Sequence, residues 1–401
     1  MTAGPGAAAS EPRDRPVVLH ADHSTSRGGA EYALMRMLQT EHPWDGVVIV
    51  PGRAGAPGVW EQFQREHPES ISFAGAAHSA GASKSRRPAD VLRFVSQVVG
   101  QAWTLRRHPA FRGADVLHAN TSRAGLYSVV AALLTRKPVV VHLRDIVDLS
   151  NLGTLGLAIT TRVVLPRASG VIGNSRASLQ SAMPYLRPTT RTEVIPSAIG
   201  VERRAIDAPT SDEVRTIGMV ARLDTWKGQD LLVRAFAAVH AGSSVRLVLA
   251  GSTEFGQDDY RRELEELAAG LGVGEQVDFL GHVENVAELI SRLDVCVQAS
   301  TRPEPLGQNV LQYLSLGRPT IATDAGGPAE WVTNGVNGLT FEMGSVTALS
   351  EALRLLGDPD LRRRLAAAAA VTPGLLSDSE VAERHGAFFS SVVRTRQTKR
   401  R

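Results

Sequence analysis

Cysteine is almost missing from this chain of 401 residues. The single thiol, Cys296, excludes an internal disulfide and any metal cluster built on paired cysteines, and it sits in Leu293-Asp-Val-Cys-Val-Gln298, a run that reads as a buried strand. The cytoplasm is therefore the expected compartment. No apolar run approaches the ~20 residues of a membrane span; the stretch Ile159 to Leu165 is interrupted by Thr160, Thr161 and Arg162. The first residues, 1–15, lack an apolar segment and are rich in Ala, Gly and Pro, which predicts a disordered leader and no signal peptide. Net charge is small, +3 with a pI near 9.2, so a nucleic-acid partner is not expected. Three signatures are missing as well: a Ser-centred nucleophile elbow, a Walker-type Gly-Lys-Ser, and a Rossmann Gly-x-Gly-x-x-Gly after the first strand. The last counts against a nicotinamide enzyme. Lysine is scarce too, with only Lys84, Lys137, Lys227 and Lys399, so a lysine inside a motif stands out.

The length exceeds what one hydrophobic core usually serves and predicts two domains. In the first half, short β-branched runs such as Pro16-Val-Val-Leu-His20, Val47-Val-Ile-Val50, Val116-Leu-His118, Val139-Val-Val-His142 and Val171-Ile-Gly-Asn174 alternate with helical patterns. That alternation predicts a parallel sheet with crossover helices. After a polar stretch near 200–214 the pattern restarts at Thr216-Ile-Gly-Met-Val220. The boundaries follow: a leader over 1–15, a first domain over 16–200, a second over 201–378, a helix over 379–393 with no strand after it, and a basic tail over 394–401. That tail and Lys84-Ser-Arg-Arg87 read as solvated charge, the sharper alternative being weak peripheral attraction to anionic lipid headgroups.

The most informative segment is Glu304-Pro-Leu-Gly-Gln-Asn-Val-Leu-Gln312, continuing to Gly326-Gly-Pro-Ala-Glu330. A small-residue turn opens a helix, and amides at a helix N-terminus hold phosphates without side-chain help. Glu304 at the rim of such a nest is repelled by phosphate and suited to hydroxyls, of which a sugar has several. Arg222 and Lys227, five apart across the loop after a strand, suit a diphosphate, one as a fork and one as a point charge. Gly28-Gly29 opens a helix after the first strand. In open α/β sheets the ligand lies beyond the carboxyl ends of the strands, so His118, Asn120, His142 and Asn174 are expected to crowd one edge, with Asp145 orienting His142. Asp358-Pro-Asp360 precedes a helix and reads as a cap and not as a metal site. Residues 75–88 read as a loop on the acceptor side.

Together, Gly28-Gly29, His142, Arg222 with Lys227, Glu304 and Gly326 to Glu330 resemble the retaining glycosyltransferases of family 4, from about residue 17 to 390. The resemblance implies the α/β GT-B fold, two Rossmann-like domains with parallel sheets facing each other across a cleft. It implies a nucleotide-sugar donor, UDP- or GDP-linked, on the second domain, a hydroxyl acceptor on the first, and a last helix crossing back. By that resemblance Arg222 and Lys227 bind the diphosphate, with the amides of Leu306, Gly307 and Gln308. Glu304 grips the sugar, His142 lies beside it, Gly28-Gly29 closes over the phosphates, and the turn at His282-Val283 meets the base. No cofactor and no metal are implied. Where the family pattern has a second glutamate for the ribose, this chain has Gln312, which keeps one acceptor oxygen and loses the charge. A catalytically idle protein of the same fold that binds nucleotide or partners an active transferase is the competing reading.

Overall fold

The computed structural model describes residues 15–25, 28–52, 58–75, 88–135, 137–202, 212–253 and 258–398. The leader up to residue 14, the segment 84–87 and the last three residues of the basic tail lie outside them, as does most of the loop expected at 75–88; the tail's first five residues, 394–398, continue the last helix.

Two parallel sheets form. The first contains β1 Val17–Ala21, β2 Asp45–Val50, β3 Ile71–Phe73, β4 Val116–Ala119, β5 Val139–Leu143, β6 Gly170–Gly173 and β7 Arg191–Val194, ordered 3-2-1-4-5-6-7. The second contains β8 Thr216–Val220, β9 Arg246–Ala250, β10 Val277–Gly281, β11 Val295–Val297, β12 Thr320–Thr323 and β13 Leu339–Phe341, ordered 10-9-8-11-12-13. Helices cover both faces of each, which explains why β5 reads Val-Val-Val-His-Leu with every residue buried. The strand order reverses between β1 and β4 in one sheet and between β8 and β11 in the other. These are the two switch points where open α/β sheets bind ligands.

The helix Asp378–Thr398 belongs to the first domain's core although it follows the second domain in sequence. It buries Val381, Ala382, Phe388, Phe389 and Val392 against a cluster that contains Val18, Trp44 and Val140. At about 1.5–3 kcal/mol for each large apolar side chain fully buried, this seam is a principal tie between the halves of the chain. The two crossings between domains also hold each other, since Ile199 N–H donates to the Leu376 carbonyl at 2.9 Å. Asp358 accepts from Asp360 N–H at 2.9 Å and caps the helix Pro359–Ala370, with Pro359 in its first turn. Among the described residues no helix is long and apolar enough to cross a membrane.

Candidate active site

Beyond β8 and β11 the sequence places a compact set of charges. Arg222 follows β8 and its guanidinium donates to Asp224 at 3.0 Å. A single 3₁₀ turn, Thr225–Lys227, then ends at Gly228, whose φ of 77° places it in the left-handed region. A Cβ on Gly228 would lie 2.0 Å from the Ala299 carbonyl oxygen, so only glycine lets this turn lie against the loop after β11. That approach brings the Lys227 ammonium onto Glu304 Oε1 as an ion pair. The other carboxylate oxygen accepts from Ser300 Oγ at 2.7 Å and Gln298 Nε2 at 3.0 Å. Burial alone would raise the Glu304 carboxyl, but Lys227, Ser300 and Gln298 together hold it below its ordinary value. The Trp226 ring has Lys227 Nζ 4.1 Å and the Arg302 guanidinium 4.3 Å from its centroid, so a second cation borders the same pocket.

Gly307 caps the helix Gln308–Ser315 with φ 76°. Its loop is locked by Gly327 N–H, which donates to the Glu304 carbonyl at 2.7 Å. Leu306 is buried in a small apolar cluster, so its backbone and not its side chain lines the turn. The Gln308 side chain turns to the interdomain link and donates to the carbonyls of Ala198 at 2.8 Å and Ile199 at 3.1 Å. Gln312 is half-buried one turn along the same helix, and His282 stands exposed just past β10 with Val283 half-buried after it. Glu330 crosses to the first domain, where its carboxylate accepts from the amides of Arg176 at 2.8 Å and Ala177 at 2.7 Å. The segment that opens with Glu304 and ends with Glu330 thus holds both the pocket and a contact between domains.

On the first domain the structure divides the expected edge in two. Asn120 and Asn174 lie beyond the ends of β4 and β6. Asn120 Nδ2 donates to Asp22 at 2.7 Å and its Oδ1 accepts from Arg144 at 2.8 Å. Asn174 Nδ2 reaches the Arg144 carbonyl at 3.5 Å, and its own Oδ1 is buried without a hydrogen-bond partner. His118 and His142 lie inside their strands, and alternation turns both toward the face covered by the helix Asp378–Thr398. His118 Nδ1 is 2.8 Å from His20 Nδ1, and His142 Nδ1 is 3.4 Å from His385 Nε2 on that helix. Both rings are closed off from solvent. The expectation that His142 faces the cleft is therefore corrected: in a parallel sheet covered on both faces, only residues past the last strand position open onto the cleft, and β5 ends at Leu143.

The residues that do occupy that edge are Arg144 and Asp145, with Asp22 and Glu31. Arg144 is half-buried, bonded to Asn120 and to Ser197 Oγ at 2.9 Å, and burial pushes its guanidinium down to about 10. Burial and the neighbouring Asp22 push the Glu31 carboxyl up to about 8, so it is protonated at neutral pH. Burial also raises Asp145. A Cβ on Gly28 would lie 2.2 Å from Glu31 Oε2, whereas one on Gly29 would meet nothing within 4 Å. Of the glycine pair, only Gly28 lies against a side chain of the site, and Glu31 would have to shift to admit a Cβ there. The signal for these residues was positional: Asp22 and Arg144 each stand one place past a strand end. Among the described residues, two groups of histidines and carboxylates have donor atoms within 4.8 Å of one another, His118 with His142 and His385, and Asp22 with His23 and Glu31. The first lies under the last helix, and the second is engaged in hydrogen bonds to Asn120 and, through His23, to Thr121 at 3.0 Å.

Comparison with known proteins matches two family models end to end, "Glycosyltransferase Family 4" over residues 47–203 and "Glycosyl transferases group 1" over residues 202–371. The lipopolysaccharide core biosynthesis glycosyltransferase LpsE of Rhizobium meliloti is 31% identical over 169 residues, 42% of this chain and 46% of that protein. The putative glycosyltransferase EpsD of Bacillus subtilis is 32% identical over 43% of this chain and 44% of its own. The match thus spans less than half the length of these two relatives. The D-inositol 3-phosphate glycosyltransferase of Stackebrandtia nassauensis is 26% identical over 75% of this chain and 72% of that one. Among solved structures, Anabaena HepE in complex with UDP and glucose superposes with a TM-score of 0.77, at 24% identity over 94% of this chain and all of that one. WaaG, a glycosyltransferase involved in lipopolysaccharide biosynthesis, gives 0.66 at 17% identity over 93% and 99%. At these identities the structural likeness speaks to the fold, which is GT-B.

Proposed function

The chain belongs to glycosyltransferase family 4, and we propose that it moves a sugar from a nucleoside-diphosphate donor to a hydroxyl acceptor, with retention at the anomeric carbon and without a metal ion. One observation carries this reading: Glu304, buried and ionised, is paired with Lys227 beside the N-terminus of the helix Gln308–Ser315. When donor enters, Lys227 exchanges Glu304 for the diphosphate, and Glu304 is left to accept hydrogen bonds from the sugar hydroxyls. Arg222 and the amides at Gly307 and Gln308 meet the remaining phosphate charge, the work a metal ion does in other transferases. His282 and Val283, past β10, lie where the base belongs. Gly28 and Gly29 lie at the phosphates.

The transfer takes place on one face of the sugar. The bond from the anomeric carbon to the β-phosphate oxygen breaks, the acceptor oxygen bonds to that carbon from the same side, and the acceptor proton passes to the departing phosphate. Arg144 and Asp145, not His142, stand at the edge that borders the sugar, and Asp22, Glu31 and Asn120 form the acceptor's polar wall. The names of the relatives support an acceptor in envelope polysaccharide assembly, and the UDP and UDP-glucose complexes of HepE support a uridine donor.

Thermal unfolding with UDP, GDP, ADP and TDP, each alone and with its sugar, tests the donor. One nucleotide is expected to raise the midpoint by several degrees, since ligand at 100 times its Kd adds about 2.7 kcal/mol. If a nucleotide raises the midpoint but no nucleotide-sugar is hydrolysed, the idle reading holds instead. Gln312→Glu restores a charged acceptor for the ribose. It is expected to tighten nucleotide binding about three- to tenfold by calorimetry, the difference between a neutral and a charge-assisted hydrogen bond.

A further inference from the structure

Trp226 carries two cations, and only one of them is paired. The Lys227 ammonium and the Arg302 guanidinium lie 4.1 and 4.3 Å from its ring centroid. Thr301 N–H donates to the Trp226 carbonyl at 2.8 Å, so the turn that bears Lys227 and the loop that bears Arg302 and Glu304 form one piece. Lys227 has Glu304. Among the described residues Arg302 has no carboxylate at ion-pair distance. Its guanidinium donates only to the Ser150 carbonyl, at 3.5 Å, the outer limit of a hydrogen bond, and its Nε is buried without a partner. Ser150 lies in the first turn of the helix Leu149–Ile159 of the first domain, so Arg302 already reaches across the cleft.

A charge of the opposite sign stands on that side. Asp145 is half-buried two places past the end of β5, and among the described residues its carboxylate takes part in no hydrogen bond or ion pair. Other acids of this edge are engaged, Asp22 with Asn120, and Asp148 as the cap of the helix Leu149–Ile159, where it accepts from Asn151 N–H at 2.8 Å. Burial raises the Asp145 carboxyl while His23, Arg302 and Arg144 draw it back, so the Arg302 charge is within electrostatic reach. Two opposite charges, one from each domain, are thus partly removed from water without being joined. Any narrowing of the cleft strengthens their attraction and expels the water that screens it.

We propose that Arg302 and Asp145 are positioning residues that pair across the cleft when the donor is bound. The pair rests on the donor reading given above and adds to it the contact that holds the two domains closed on the nucleotide-sugar. Because Arg302 is stacked on Trp226, the joined pair also seats the Lys227 turn over the diphosphate. The closed state then binds donor more tightly in proportion to how far the pair favours it.

Calorimetry of the full chain with UDP, GDP, ADP and TDP and their glucose conjugates tests it, the variants being compared on whichever of these binds the wild type most tightly. Asp145→Asn and Arg302→Gln are each expected to weaken binding about tenfold, the low end of the coupling between close charges across an interface. The double variant is expected to bind no more than about twofold more weakly than either single one, because the second change removes a partner already lost. Arg302→Lys keeps the charge and the stacking on Trp226 and should stay within about threefold of wild type. Small-angle scattering reads the closure itself: the wild type should contract on binding, and both single variants should contract less, an outcome that a purely local structural role would not produce. A double variant weakened by the product of the two single effects overturns the proposal, as does a wild type that does not contract or single variants that contract as fully as it does. Weakened binding in Arg302→Gln beside unchanged binding in Asp145→Asn makes Arg302 a direct phosphate ligand and overturns it equally. If no nucleotide or nucleotide-sugar binds the wild type, the donor reading fails and the pair with it; if one binds and the two effects simply add, the pair alone fails.

Discussion

Lys227→Ala is expected to lower kcat/KM for nucleotide-sugar turnover about a thousandfold, or ~4 kcal/mol of transition-state stabilisation. Two losses combine. The charge that meets the departing diphosphate disappears, and it acts in a pocket where Lys227 and Glu304 are both largely shielded from solvent. Glu304 also loses the partner that holds it ionised, while the burial that raises its carboxyl remains. The residual activity of the variant should therefore fall as pH decreases through a range where the wild type is flat, because the protonated Glu304 no longer accepts from the sugar. Glu304→Gln removes that dependence and keeps a carbonyl for Ser300 or Gln298. It is expected to cost about a hundredfold in kcat with a smaller change in KM, the pattern of a contact that strengthens in the transition state. Initial rates of nucleotide release across pH check both, and turnover equal to wild type in either variant would show that this pair is not the donor clamp.

The site's second-domain half was legible because its chemistry is local. Glu304 and Gly307 fall within four residues, and Arg222 and Lys227 within six, so spacing alone placed them near one ligand. The contact between Lys227 and Glu304, 77 positions apart, was not legible, because it depends on Gly228 letting one loop lie against another. The first-domain half failed for a different reason. Period-two alternation says that His142 and Val140 share a face, but not that both faces are covered, nor that the strand runs one residue further to Leu143. Only the packing of the helix Asp378–Thr398 against β1, β4 and β5 decides that, and it brings residues more than 200 positions apart into one core. Glu330 illustrates the same limit. It belongs to the segment that first pointed to sugar transfer, and its observed partners are two amides of the other domain.

Moving His142 out of the cleft gives it a different consequence, a steep loss of stability in mild acid. His20, His118, His142 and His385 meet under the last helix, contributed by β1, β4, β5 and that helix, with Trp44 and Phe389 closing the cluster. Burial lowers all four, the first three well below their ordinary value and His385 to about 3, with neighbouring Arg144, Arg384 and His42 adding to the effect. A base whose folded value is depressed contributes stability that is present above its unfolded value, near 6.5, and is lost as pH falls toward the folded one. Each such histidine costs about 1.4 kcal/mol for every pH unit below that point. Glu31 acts in the opposite sense: raised to about 8, it stays protonated in the folded chain while the unfolded chain releases its proton from about 4.5 upward, so it destabilises as pH rises. Asp145, also raised by burial, acts like Glu31 over its own range. For these four rings less Glu31 and Asp145 the net uptake on unfolding below pH ~6.5 is then about two to three protons, or roughly 3–4 kcal/mol per pH unit against a total of roughly 5–15, and His108 and His240, also lowered by burial, add in the same sense. Stability should peak near pH ~6.5, decline gently above it through Glu31 alone, and collapse within about two units below it. Urea unfolding at a series of pH values measures the slope directly. His385→Leu, which fills the same apolar seam without a titrating group, is expected to reduce that slope by about one proton while leaving stability at pH ~7 within about 2 kcal/mol. A slope unchanged by this replacement would mean that the four rings do not remain neutral in the folded protein. Because the helix that bears His385 is also the tie between the domains, acid should separate the two halves of the cleft.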